Sequence, residues 1–103
     1  MEIKATPELK AEIKRLLIKT LVLEDIAEAD IADDVLLFDA NQGLGIDSVD
    51  ALEMVAALQK KYGVRIGDQN QGRFIIQSVQ TIADFVAREL AARQHGADGL
   101  SRP

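Results

Sequence analysis

A chain of 103 residues has room for one domain built on one modest core. Its 48% hydrophobic residues exclude disorder, its 4% aromatics leave the core to aliphatic side chains, and the absence of cysteine excludes disulfides, thiolate catalysis and cysteine-ligated zinc. The net charge of −5 is unevenly held: ten acids and no Lys or Arg lie between Thr20 and Gln59, and the remaining seven acids share the rest of the chain with all twelve bases. Nucleic-acid binding would gather bases where contact occurs. An acidic segment suits basic protein partners instead. No apolar run reaches the roughly 18 residues that a membrane span needs. Residues 2–15 mix charge throughout, unlike a secretory signal. The expectation is a soluble, cytoplasmic monomer.

The first helix is expected over residues 7–23. Thr6 is its cap, Pro7 its first residue, and Leu9, Ile13, Leu16, Leu17 and Leu21 follow at helical spacing. Residues 24–47 hold no sustained period and carry Asn41, Gly43 and Gly45, so they form a long loop, a feature that is often functional. Val35, Leu36, Leu37 and Phe38 are expected to pin its middle to the core. The second helix should start at Asp47 or Ser48 and stop before Gly63. Leu52, Val55, Leu58 and Tyr62 form its expected buried stripe, with Asp50, Glu53 and Met54 off it and partly or wholly exposed. Residues 64–77 are interrupted by Gly67 and Gly72, and "RFIIQ" within them fits either a short helix or a turn. A last helix should run from Ser78, as cap, to Ala92, with Val79, Ile82, Phe85, Val86 and Leu90 inward. One domain over residues 1–92 and a flexible tail over 93–103 follow from this pattern.

At the start of the second helix stands "GLGIDSVDALEMV", residues 43–55. With Asp47 as cap and Asp50 three residues on, the pair has the form of a capping box. Ser48 then becomes the first helical residue. Its hydroxyl lies where backbone N–H groups and the helix dipole favour an attached phosphate. By itself Asp-Ser is an ordinary way to begin a helix. A nucleophilic serine would need a base and an oxyanion hole. The single histidine, His95, falls in the tail, and the flanking residues do not match G-x-S-x-G. Asp33, Asp34 and Asp39 do not have the spacing of a calcium loop, so no metal site and no catalytic residue is assigned.

"LGIDSVDALEMVAALQKKYGVRI", residues 44–66, resembles the acyl carrier protein family, which carries L-G-x-D-S-L at the start of its second helix. The resemblance extends over residues 8–92. It implies an all-α fold, a small four-helix bundle of three main helices and a short third helix, with a long loop after the first. It implies that Ser48 is esterified by 4′-phosphopantetheine, taken from coenzyme A by a phosphopantetheinyl transferase (holo-synthase). The arm's thiol then carries acyl groups as thioesters. The implied partners are an acyl-loading ligase or transferase and downstream synthase or acyltransferase enzymes. On this reading the chain is a carrier without catalysis of its own. Asp47, Val49, Asp50, Glu53 and Met54 are the expected partner-recognition residues, and a cavity between the helices receives the acyl chain.

The chain departs from the family pattern in three places. Val49 stands where Leu is usual; Gln59, Lys60 and Lys61 replace acids late in the second helix; and Gly67, Arg73 and about two extra residues mark the third-helix region. These departures point to a specialised lipid or secondary-metabolite pathway with its own partners. Phe74, Ile75 and Ile76 form the most apolar cluster outside the main helices. At least two should pack inward and help wall the acyl cavity, with Arg73 in solvent; the alternative is that they fill core with no ligand role. Two other readings stay open: an aminoacyl or peptidyl carrier, which more often shows G-G-x-S, and an unmodified helical adaptor.

Overall fold

The computed structural model describes residues 5–41 and 43–100, apart from the side chains of Gln69 and of residues 93–100. Every regular element among them is helical: α1 (Pro7–Leu21), a 3₁₀ turn (Glu28–Asp30), α2 (Ser48–Tyr62), α3 (Gln69–Ile75) and α4 (Val79–Leu100). α1 packs against α2 and α4, and the short α3 packs against the same two helices. This is the expected all-α bundle.

Thr6 Oγ1 accepts the Leu9 N–H at 3.1 Å and opens α1 behind Pro7. The helix ends at Leu21 rather than at residue 23, because Val22 swings into the left-handed region at φ 54° and closes its N–H on the Ile18 carbonyl. The long loop that follows is held by backbone bonds. Gln80 N–H donates to the Asp33 carbonyl and Leu37 N–H to the Gln77 carbonyl, each at 2.8 Å. Both bonds tie the loop to the α3–α4 junction. The Leu37 carbonyl accepts from Leu44 N–H at 3.2 Å and Ile46 N–H at 3.1 Å, which folds residues 37–46 back on themselves just before α2. Ile31, Leu37 and Ile46 drop into the core. Of the four residues expected to pin the loop, Leu37 is buried, Val35 and Phe38 are half-buried, and Leu36 is exposed. Neighbouring residues of a turning segment point different ways, so one run of four cannot all face inward.

Lys14 and Lys10 reach Asp33 at 2.8 and 3.5 Å, and Arg15 reaches Glu28 at 3.2 Å, so α1 also holds the acidic loop electrostatically. The hydrogen bond from Lys14 keeps the Asp33 carboxyl below the usual carboxylate range.

The buried face of α2 differs from the expected stripe. Ala51, Met54 and Leu58 are its buried residues, Val55 and Tyr62 are half-buried, and Leu52 is 48% exposed. At 100° per residue, positions 51, 54 and 58 fall on one face, and Leu52 lies about a third of a turn away from its centre. Met54, expected at the surface, is 0% exposed. Gly63 ends the helix at φ 67°, with its N–H on the Gln59 carbonyl.

The ambiguous segment is a helix, α3, through Ile75 and a turn at Ile76 and Gln77. Asp68 Oδ1 caps it by accepting the Gln71 N–H at 2.8 Å. Ile75 and Ile76 pack inward, Phe74 is exposed, and Arg73 faces solvent, as expected. Ser78 and Thr81 cap α4 reciprocally: Ser78 Oγ accepts from Thr81 N–H at 3.1 Å, and Thr81 Oγ1 accepts from Ser78 N–H at 2.9 Å. α4 continues to Leu100, past the Ala92 end set by the apolar pattern. No proline interrupts residues 93–100, and an internal glycine costs a helix only about 1 kcal/mol.

Candidate functional site

Ser48 is the first residue of α2 and is exposed. Two reciprocal bonds set its position. Asp47 Oδ1 accepts the Asp50 N–H at 2.9 Å, and Asp50 Oδ2 accepts the Asp47 N–H at 3.2 Å. The Asp47 carbonyl takes the Ala51 N–H at 2.9 Å. The amides of Ser48 and Val49 lie at the open end of a 15-residue helix, where the dipole favours an anion.

From Ser48 a groove of about 420 Å³ runs between α2 and α3. α2 contributes Ser48, Ala51, Leu52 and Val55; the connection contributes Ile66 and Asp68; α3 contributes Asn70, Gly72 and Arg73. Ala51, Leu52, Val55 and Ile66 give it an aliphatic lining, and its polar groups are Ser48, Asp68, Asn70 and Arg73. Gly72 makes the helices' close approach possible, since a Cβ at that position would stand 3.1 Å from Val55 Cγ2 and 3.7 Å from Ile66 Cγ2. The missing side chain leaves room for the groove.

Asp47, Val49 and Glu53 are exposed around the serine and Asp50 is partly so, which brings four of the five expected recognition residues together on the outer face of α2. Met54 differs from the expectation of a partly or wholly exposed residue: its side chain is buried in the core. Ile75 and Ile76 pack inward as expected. They are buried, but neither lines the groove; Ile66 and Gly72 do. Leu52 was the missed residue. Ser48, Leu52 and Val55 stand at i, i+4 and i+7, a stripe that begins at the serine, so helical spacing counted from Ser48 would have found it. Asn70 had no signal, since a polar residue on a short helix reads as surface.

No helix of the described residues is long and apolar enough to cross a membrane, and no cluster of His, Asp and Glu among them could hold a metal ion. An exposed serine at a helix start, beside an aliphatic groove, fits a phosphodiester-linked arm with an apolar load.

Comparison with known proteins agrees with this chemistry. Residues 16–88 match the family model described as "Phosphopantetheine attachment site". The chain is similar to "Acyl carrier protein 4, chloroplastic" from Cuphea lanceolata, 31% identical over 91 residues, which are 88% of this chain and 60% of that protein. It is similar to "Acyl carrier protein" from Thermosynechococcus vestitus, 31% identical over 67 residues, which are 65% of this chain and 69% of that protein. A third relative, "Acyl carrier protein 1, chloroplastic" from Cuphea lanceolata, is 30% identical over 91 residues. The chain thus spans about 60% of the length of the Cuphea relatives. A four-helix bundle and a match to the attachment-site model over most of the chain lead to one conclusion: the protein belongs to the acyl carrier protein family, with 4′-phosphopantetheine as its prosthetic group.

Proposed function

We propose that Ser48 carries the 4′-phosphopantetheine arm and that the chain delivers acyl groups to partner enzymes of a fatty-acid-like, specialised lipid or secondary-metabolite pathway. The observation that carries this reading is the placement of Ser48. It is exposed, held at the start of α2 by the Asp47–Asp50 box, and opens on the groove between α2 and α3. When bound, the arm's terminal thiol supplies the thioester on which an acyl group is held. The chain's own residues do the rest. The N-terminus of α2 favours the phosphodiester charge, and Ala51, Leu52, Val55 and Ile66 offer the acyl chain a surface away from water. Asp47, Asp50 and Glu53 draw basic partners toward the serine, with Val49 as an apolar contact among them.

The partners on this reading are a phosphopantetheinyl transferase, an acyl-loading ligase or transferase, and a downstream synthase or acyltransferase. The catalysis belongs to them. The test is intact mass after incubation with coenzyme A, magnesium and a broad-specificity phosphopantetheinyl transferase. The native chain gains one phosphopantetheine and Ser48→Ala gains none. A gain in Ser48→Ala would move the site elsewhere, and no gain in the native chain would leave an unmodified adaptor.

A further inference from the structure

The groove beside Ser48 contains one cation, Arg73. Among the described residues no Asp or Glu oxygen lies within salt-bridge distance of it; its recorded contact is with the Phe38 ring, whose centroid is 5.8 Å from the guanidinium carbon. Asp68, the acid in the same groove, is engaged in capping α3. Arg73 is therefore an exposed, always-charged donor with open hydrogen-bonding capacity.

The loop before α2 reaches this arginine. Phe38 follows Leu37, whose carbonyl accepts the Ile46 N–H at 3.1 Å, and Ile46 lies two residues before Ser48. Stacking on Phe38 ties Arg73, which lines the same groove as Ser48, to the loop segment that leads into α2. Asn70 and Arg73 also border a second hollow with Phe38, Phe74 and Gln77, so the two side chains form a polar ridge between the groove and the outer face of α3.

Resting on the reading of Ser48 as the attachment site, we infer that Arg73 is a positioning residue for the arm: its guanidinium pairs with the phosphodiester on Ser48 and lays the arm along the α2–α3 groove. A guanidinium fork matches two phosphate oxygens, and Lys in its place would keep the charge but lose the fork. The α2 N-terminus and Arg73 would then hold the phosphate from two sides. A carboxylate on the acyl cargo is the competing anion.

The experiment uses the intact chain, converted to the phosphopantetheine form without cargo and confirmed by mass. It compares native, Arg73→Gln and Arg73→Lys proteins. The readouts are the ³¹P resonance of the phosphodiester and the Arg73 Nε–H resonance, followed in low salt and in high salt. In the native protein the Arg73 Nε–H shifts on modification, and the ³¹P resonance moves as salt rises. In Arg73→Gln the ³¹P resonance takes the native high-salt position at every salt concentration, and Arg73→Lys restores part of the difference. Unchanged far-UV dichroism controls for fold. Identical ³¹P behaviour in native and Arg73→Gln proteins would overturn the inference. So would an Arg73 effect that arises only when a carboxylate-bearing acyl group is loaded, which would assign the residue to the cargo. A native chain that gains no arm by mass would instead overturn the reading of Ser48 and is seen before any resonance is recorded.

Discussion

Tyr62 helps join α1 to α2, its hydroxyl donating to Glu12 Oε1 at 2.8 Å. Burial, and then the neighbouring Glu12 carboxylate, raise its ionisation well above the ordinary value of 10.0. A group whose folded pKa is raised stabilises the fold fully below its unfolded pKa, and that contribution is lost as pH climbs through 10 toward the folded value. Tyr62→Phe should therefore cost about 1 kcal/mol at neutral pH, the worth of one part-buried hydrogen bond. The gap between native and variant should narrow above pH 10. Urea midpoints of both proteins from pH 7 to 11 check this, and lysine titration, common to both, cancels in the difference. At the same scale Met54 and Leu52 trade the places expected of them. A long apolar residue is not thereby a buried one, and the direction of each side chain follows from which line of α2 meets α1.

Helix α2 couples its own stability to recognition, because Asp50 is both half of the capping box and part of the acidic surface. Asp50→Lys would break a cap and set a cation at a helix N-terminus, so it mixes two effects. Glu53 makes no such bond and is exposed, which makes it the cleaner probe. Glu53→Lys should slow phosphopantetheine transfer several-fold at low salt, and the effect should fade near about 1 M salt, where charges are screened within about 3 Å. An unchanged low-salt rate would leave the acids as a solvated face. The packing of α3 on α2 depends on Gly72. Gly72→Ala adds helix propensity of about 1 kcal/mol while its methyl crowds Val55, so the two effects offset and apo stability should change by less than about 1 kcal/mol. The gain in melting temperature on acylation should shrink, most for long chains, since the groove is narrowed where Val55 lines it.

Across the whole molecule, the acidic half is anchored by the basic one: Lys10, Lys14 and Arg15 of α1 hold Asp33 and Glu28 of the loop. These partly exposed pairs orient the loop more than they stabilise it. Stability rests on the aliphatic core shared by all four α-helices and the inward residues of the two connections, the long loop and residues 64–66. Ile75 belongs to that core and not to the groove, so Ile75→Ala should destabilise apo and acylated proteins alike, by about 2–5 kcal/mol. Thermal unfolding of both forms, loaded with two acyl lengths, checks it. A loss that depended on chain length would return Ile75 to the cavity wall.

The three long helices, the caps Thr6, Asp47, Gly63 and Ser78 and the placement of Ser48 at a helix start were legible in the sequence, because they depend on contacts within a few residues: Thr6 with Leu9, Asp47 with Asp50, Ser78 with Thr81, Gly63 with Gln59. The all-α class follows from the same local signals. Tertiary structure decided which line of α2 is buried, since a stripe of Ala51, Met54 and Leu58 competes closely with one through Leu52 and only the position of α1 chooses between them. It also decided the groove and its arginine. Val55 meets the α-carbon side of Gly72 and Arg73 meets Phe38 across separations of 17 and 35 residues, and such approaches depend on how whole helices cross rather than on any spacing along the chain.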